Sequence, residues 1–332
     1  MASSSRSGIT SDFERLERAS ALSRPAQLKR MLIIVNPYAT TVSDRLKHLV
    51  VYALQGRYEV EAIDTQRSGH ATELCREAAG EGYDVVVAFG GDGTINEAAN
   101  GLAGSDTPLT CLPGGATNVY PRILGLPNDV VDATEHLLRI ADDWHPRWVD
   151  LGAVNGRRFT FAGGAGLDAS VVKRVDSHPK LKARYGPSFY TASAVGVFLR
   201  RYVVNPPRLV VEVDGAEVSG VSAFVQNASP YTYFRTTPIE LVDGIDLDSH
   251  DLGGVVLERA SPIDIPTVLW RALSQRAKIE QHRRVTSFRG VQRIVVRSAD
   301  GREVPVQVDG DYVGAYDEAV FTVHPRALRV VA

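Results

Sequence analysis

The run Val85-Val86-Val87-Ala88-Phe89, followed by Gly90-Gly91-Asp92-Gly93-Thr94 and then Ile95-Asn96-Glu97-Ala98-Ala99-Asn100-Gly101-Leu102, reads as strand, glycine turn, helix. Glycine lets the main chain approach a phosphate closely, a helix start presents N–H groups to it, and Thr94 adds a hydroxyl. Asp92 is out of place there, because a carboxylate repels phosphate. Its expected work is to hold Mg²⁺ against the phosphates or to take a proton from an attacking hydroxyl. The chemistry this predicts is phosphoryl transfer.

The rest of the first half repeats the alternation. Strands are expected at 31–35, 58–63 and 110–112, and helices at 44–54 and 70–81, the latter opened by Ser68-Gly69 and closed by Gly82. Such a chain builds a doubly wound parallel sheet with its ligands beyond the carboxyl ends of the strands. After about residue 148 the pattern changes to short alternating strands at 159–162, 208–214, 221–227 and 293–296, with Asp214-Gly215, Asp300-Gly301 and Asp309-Gly310 as hairpin signals and helices at 188–201 and 262–278. The fold class expected is therefore α/β plus β. An N-terminal nucleotide-type α/β domain spans 30–147, with a return of the chain from about 320 to 332, and a mainly antiparallel, sandwich-like β domain spans 148–319.

Residues 1–29 are polar and lack the apolar core of a secretory signal. They read as a mobile arm, with a solvated tail favoured over a short helix at 12–22. The chain of 332 residues has 44% hydrophobic and 23% charged residues and a net charge of −2, which excludes a disordered chain and gives no global field for nucleic acid. No apolar run approaches the ~18 residues of a membrane span. The two cysteines, Cys75 and Cys111, fit neither a disulfide framework nor a zinc site, so a reducing cytoplasm is the expected compartment.

Three loops fall where strands end: Asn36-Pro37, Gly90 to Thr94, and Pro113-Gly114-Gly115-Ala116-Thr117-Asn118. One glycine turn is weak evidence, whereas three at one sheet edge point to a single crevice, with Asn36 and Asn118 as amide donors toward phosphate or nucleotide. A second cluster, Phe161-Ala162-Gly163-Gly164-Ala165-Gly166-Leu167-Asp168-Ala169, either allows close packing or lines an acceptor pocket.

This ordered set, with Asp243-Gly244 and the late Asp309-Gly310-Asp311, resembles the diacylglycerol kinase catalytic family, which includes bacterial lipid kinases and sphingosine kinases; the resemblance covers about residues 30–330. It implies an ATP-dependent lipid kinase whose active site lies between its two domains. By the same resemblance Asn36, Pro37, Tyr38, Ala39 and Thr40 form the first nucleotide loop, and Thr65 contacts the nucleotide. Gly90, Gly91, Asp92, Gly93, Thr94, Ile95 and Asn96 form the central ATP segment, with Gly115, Ala116, Thr117 and Asn118 completing it. It assigns the proton acceptor to Asp311, with Asp92 in competition and Asp309 beside it. Asp92 is expected to organise the catalytic Mg²⁺. Asp243, with the carbonyls of Glu240 and Ile245, matches a loop that holds a structural Mg²⁺ in bacterial relatives.

The departures are specific. Ala116 stands where the family usually has a threonine, Asp311 where glutamate is common, Val119 where aspartate is frequent, and Ser229-Pro230-Tyr231-Thr232-Tyr233-Phe234 replaces a glycine-rich turn. The aromatic loop and the segment 189–199 are the candidates for covering acyl chains. The expected acceptor is diacylglycerol, met at the inner membrane surface by a peripheral protein, with a homodimer left open. The alternatives are an NAD kinase-like, phosphofructokinase-like or other small-molecule kinase, and a nucleotide-binding regulator without catalysis.

Overall fold

The computed structural model describes residues 12, 14–18, 28–166, 169–170, 207–274 and 276–332. The expected helix at 188–201, the acyl-cover segment 189–199 and Asp168 lie outside these residues. The chain forms two compact units, one of residues 1–149 with 327–332 and the other of residues 150–326.

In the first unit, β1 (Lys29–Val35), β2 (Tyr58–Asp64), β3 (Val85–Gly90) and β4 (Leu109–Pro113) form a parallel sheet in the order β2-β1-β3-β4. Their side chains alternate between two faces. Met31, Ile33, Val35, Val85, Val87 and Phe89 pack with α1 (Asp44–Leu54) and α5 (Val130–Arg139). Leu32, Ile34, Val86 and Ala88 are equally buried and belong to the other face, which α2 (His70–Glu81) and α3 (Asp92–Leu102) supply with Ala71, Cys75, Ala98 and Ala99. A Cβ on Gly101 would stand 2.5 Å from the Cβ of Cys75, so α2 and α3 approach as closely as they do only because residue 101 lacks one. Cys75 and Cys111 are both free and buried, and burial pushes both thiols up.

Two expectations change here. The helix expected from Ile95 begins at Asp92, so Gly93 and Thr94 lie in its first turn. Near the N-terminus, residues 14–18 are helical, Leu16 is buried in the first unit's core, and Arg15 binds Asp132 at 2.8 Å and Glu135 at 2.6 Å. One buried leucine and one arginine whose Nη2 bridges two carboxylates dock residues 14–18, so this stretch is no solvated tail.

The second unit has two sheets. One runs β14-β13-β10-β7-β16-β17, from β7 (Ala162–Gly166), β10 (Ser222–Gln226), β13 (Leu252–Leu257), β14 (Val285–Val291), β16 (Val304–Val308) and β17 (Asp311–Tyr316). In the other, β15 (Arg293–Ser298) lies between β8 (Leu209–Val213) and β18 (Glu318–Val330), β9 (Ala216–Gly220) pairs with β8, and β5 (Arg147–Val154) with β6 (Arg157–Phe159) joins β18. Phe159, Val211, Ile294 and Phe321 from one sheet share a core with Ala165, Val225, Val256 and Val306 from the other. In the glycine cluster, a Cβ on Gly163 would stand 2.9 Å from the Phe321 ring, so this glycine admits an aromatic side chain.

Asp214-Gly215 and Asp309-Gly310 both have positive φ at both residues and close the β8–β9 and β16–β17 hairpins. Asn155-Gly156, a signal left unused in the sequence, closes β5–β6 in the same way. Asp300-Gly301 is no hairpin, because β15 and β16 belong to different sheets. Asp300 caps the loop instead, accepting from the main-chain N–H of Arg208 at 2.9 Å and from the Arg302 side chain, whose hydrogen bond holds its carboxyl below the ordinary range. The helix expected over 262–278 is shorter, α6 (Asp264–Leu273).

Asp150 ties the second unit together. Its buried carboxylate accepts from the N–H of His250 at 2.7 Å and of Arg326 at 2.8 Å, two residues held at positive φ (61° and 50°). Asp150→Ala orphans both donors, and a loss of about 3 kcal/mol in urea unfolding is the expected result. Burial also lowers the pKa of His136, His282 and His324, so the folded state keeps these rings neutral where an unfolded chain begins to bind protons. Stability is then full above the ordinary imidazole value of ~6.5 and falls below it, read as a declining urea midpoint from about pH 8 to about pH 5.

Candidate functional site

The register of the first sheet sets Val35 beside both Asp64 and Phe89, and Phe89 beside Leu112. All four strands therefore end at one level, and the loops that follow them share one edge. The order β2-β1-β3-β4 reverses direction between β1 and β3, which is where such sheets open a crevice. Asn36 and the turn after Phe89 flank that point.

Hydrogen bonds lock these loops to each other. Asn36 donates from its main-chain N–H to the Phe89 carbonyl at 2.9 Å and from Nδ2 to Thr94 Oγ1 at 3.0 Å, while its Oδ1 accepts from the N–H of Tyr38 at 3.0 Å. The Gly114 N–H donates to the Gly90 carbonyl at 2.8 Å, and the Thr41 N–H to the Gly114 carbonyl at 3.1 Å. A Cβ on Gly115 would meet the Gly91 Cα at 2.8 Å. Glycine here lets one loop lie on the next, a use distinct from approach to a ligand. The N-cap of α3 is Gly91, and no side chain caps that helix start.

Asp92 differs from expectation. Its Oδ2 accepts from the N–H of Val119 and its Oδ1 from the N–H of Tyr120, both at 3.0 Å. The acid in the glycine turn caps the short helix α4 (Val119–Ile123), and that is the reason for an acid there. Both oxygens serve this cap, and the described residues contain no group of three or more His, Cys, Asp or Glu able to hold a metal ion. A protein-built Mg²⁺ site at Asp92 does not fit.

Several expected nucleotide contacts also have structural partners. Asn118, at φ 51°, accepts from the Gly115 N–H at 2.8 Å and donates to Asn128 at 3.1 Å, so it shapes its own loop. Ile95 is fully buried, and Asn96 accepts from Asn100 within α3. Thr65 is buried and closes onto Val35 through its N–H at 2.8 Å. Tyr38, Thr40 and Ala116 are exposed at the rim, with Pro37, Ala39 and Thr117 partly so.

Sequence reasoning missed the role of Glu97. Its carboxylate accepts from the N–H groups of Gly69 at 2.7 Å and Ala71 at 3.3 Å and from Ser68 Oγ at 3.2 Å, so it caps α2 from the neighbouring helix. The available signal was the glycine at the N-cap of α2, which has no side chain to do this itself.

In the second unit, the carboxylate of Asp309 is buried and accepts four hydrogen bonds, from Thr160 N at 2.7 Å, Thr160 Oγ1 at 2.8 Å, Phe161 N at 3.1 Å and Ala162 N at 3.0 Å. Three of these donors are main-chain groups that a sheet partner would otherwise take, so the single strand expected at 159–162 is broken into β6 and β7. Asp309 is thereby a positioning residue. Gln307, also buried, accepts from the Gly310 N–H at 2.9 Å and donates to the Tyr231 hydroxyl at 2.9 Å. The turn is fixed from both sides, and Asp311 stands exposed at its end. Within the aromatic loop Tyr231 packs edge-on against Phe224, while Phe234 is exposed.

The loop of Asp243 likewise does not fit the structural Mg²⁺ implied for it. Lys278 Nζ donates to Asp243, supplying the positive charge, and the Ile245 carbonyl accepts from the Ser229 N–H at 2.9 Å. Glu240 is exposed.

Comparison with known proteins places this geometry. Residues 30–151 match the diacylglycerol kinase catalytic domain. The chain is 28% identical over 294 residues to the diacylglycerol kinases of Staphylococcus aureus strains RF122 / ET3-1 and MRSA252, covering 86% of this chain and 87% of each relative. Among solved structures it resembles a candidate diacylglycerol kinase from Bacillus anthracis str. Sterne, with a TM-score of 0.72 at 22% identity over 93% of this chain and 97% of that one. Another solved structure, of a diacylglycerol kinase from Bacillus anthracis str. Sterne, gives 0.67 at 18% identity, over 92% and 98%. The chain-length match to these folds agrees with the architecture described above, and residues 30–151, which carry the crevice, match a diacylglycerol kinase catalytic domain.

Proposed function

We propose that this protein is an ATP-dependent lipid kinase that transfers the γ-phosphate to a lipid hydroxyl, with diacylglycerol as acceptor and phosphatidic acid as product. The observation that carries the reading is the α3 start, free of any side-chain cap and set at the carboxyl edge of four parallel strands inside the matched catalytic domain. The choice of acceptor follows the names of the relatives.

In this reading the main-chain N–H groups of the α3 start, with Asn36 and Thr94 fixing the loop around them, receive the phosphates of ATP and offset the charge that develops on the transferred group. Mg²⁺ would arrive with the nucleotide as part of MgATP; among the described residues no group of three or more His, Cys, Asp or Glu could hold it. The acceptor oxygen forms a bond to the γ-phosphorus as the bond to the β,γ-bridging oxygen breaks. ADP leaves, and the hydroxyl proton passes to Asp311, an exposed carboxylate on a fixed turn. Asp92 is withdrawn from that competition by its two main-chain partners. Asp309 keeps the turn in place.

Purified protein with radiolabelled ATP and a panel of diacylglycerol, sphingosine, glycerol and NAD decides the reading. Label in phosphatidic acid is the expected outcome, label on NAD alone overturns the lipid assignment, and ATP binding without transfer to any acceptor favours a regulator. Chelation with EDTA should abolish turnover while leaving the melting temperature unchanged, because the metal is part of the substrate and holds no loop.

The two late aspartates should separate cleanly. Asp311→Asn is expected to lower kcat by about 10²–10⁴-fold with an unchanged urea midpoint. Asp309→Ala orphans buried donors and should cost about 3 kcal/mol of stability. Undiminished turnover in Asp311→Asn would remove it from the base role.

A further inference from the structure

α6 in the second unit buries little of itself. Asp264 and Val268 face inward, while Ile263 at its N-cap is 79% exposed, Leu269 56%, Trp270 61% and Leu273 41%. Positions 263, 266, 269, 270 and 273 fall on one side of a helix, and Pro266 among them is exposed as well. Scattered apolar residues on a surface need no explanation, but four large ones on one helix face, with a tryptophan among them, mark a binding surface.

The charge around the face says what kind. Residues 264–289 carry Arg271, Arg276, Lys278, Arg283, Arg284 and Arg289 against two acids, Asp264 and Glu280, in a chain whose net charge is −2. Both acids are matched locally, Asp264 by Arg283 at 2.9 Å and Glu280 by Arg289. Among the described residues Arg271, Arg276 and Arg284 have no ion pair. A protein core or a second copy of this same cationic face would leave those charges opposed to like charges, whereas an anionic bilayer takes both halves of the pattern: Trp and Leu at the headgroup level and guanidinium groups on the lipid phosphates.

The mounting of the helix supports a fixed presentation of that face. His282, buried beneath it, accepts the Arg284 N–H at Nδ1 (3.1 Å) and pairs with Thr267 Oγ1 through Nε2 (2.9 Å). Asp264, from the inner side of α6, holds Arg283 and Ser261. The polar groups of α6 therefore anchor it inward, and the apolar side is the one left over.

We propose that α6, with Arg271, Arg276 and Arg284 beside it, is the surface by which this protein lies on an anionic lipid bilayer. The choice of a lipid partner rests on the kinase reading above, but the docking is measured without catalysis. The full chain is sedimented with vesicles of phosphatidylcholine alone and with vesicles containing phosphatidylglycerol, at low and high salt, and the tryptophan emission is followed with Trp270→Phe as control. The expected result is binding to the anionic vesicles only, weakened by salt, with a blue shift that Trp270→Phe abolishes. Leu269→Ser with Trp270→Ser should reduce binding about tenfold or more, and Arg271→Glu with Arg276→Glu should do so comparably, each with an unchanged melting temperature. Unaltered vesicle binding by both double variants overturns the proposal, as does the absence of binding by the native chain. A concentration-dependent dimer dispersed by the Leu269 and Trp270 changes, without vesicle binding, also overturns it and assigns the face to a second copy. Failure to phosphorylate any lipid with vesicle binding intact would defeat the kinase reading alone.

Discussion

The carboxylate of Asp92 accepting the N–H groups of Val119 and Tyr120 is the contact on which the crevice at the sheet edge depends. It spans 27 residues of sequence and joins the first turn of the helix after β3 to the first turn of the helix after β4. With that cap made, the loop from Gly114 to Asn118 lies across Gly90 and Gly91, and a Cβ at position 115 would stand 2.8 Å from the Gly91 Cα, so glycine there permits the separation that results. The acid is tolerated near a proposed phosphate site because its charge faces main-chain donors instead of the ligand. Asp92 is thus an architectural residue of the crevice, and its removal would leave both main-chain donors without this partner.

The same device recurs. Glu97 caps α2, Asp309 holds 160–162, and Asp150 holds His250 and Arg326, in each case through main-chain N–H groups distant in sequence. These loops contain residues at positive φ, among them Asp309, His250 and Arg326, whose conformation costs energy that the surrounding bonds must offset. A carboxylate suits the task because one side chain satisfies two to four donors and gains strength where water is excluded. The aspartates that matter most for stability and the one proposed for chemistry therefore differ in burial, with Asp309 at 5% exposure and Asp311 exposed.

Much of the first unit was legible because its strands are continuous apolar runs and its helices carry clear stops. The helices at 44–54 and 70–81 fall on the observed bounds, and the three loops named from sequence do converge at one sheet edge. What sequence could not show is the direction in which an acid points. Asp300-Gly301 and Asp309-Gly310 are identical as dipeptides, yet one joins strands of different sheets and the other closes a hairpin, because φ at the aspartate is set by pairing partners far along the chain. Asp92 and Asp309 look chemical in sequence for the same reason: their main-chain donors, among them Val119 and Phe161, lie 27 and 148 residues away and carry no side-chain signature.

The pinned turn also bears on the shorter acid at position 311. Asp311 gives up one methylene of reach relative to glutamate, and recovering that distance takes a mobile turn that shifts its main chain. Here it is held by four hydrogen bonds to Asp309 on one side and by Gln307, itself bonded to Tyr231, on the other. Adjusting the base would require breaking several buried bonds, each worth on the order of 1 kcal/mol or more. In the proposed reaction the acceptor hydroxyl has to come to Asp311, directly or through a water, and Tyr231, which accepts from Gln307, sits in the aromatic loop 229–234. Position 311 and the aromatic loop are thus one mechanical unit, and a change in either is felt at the other.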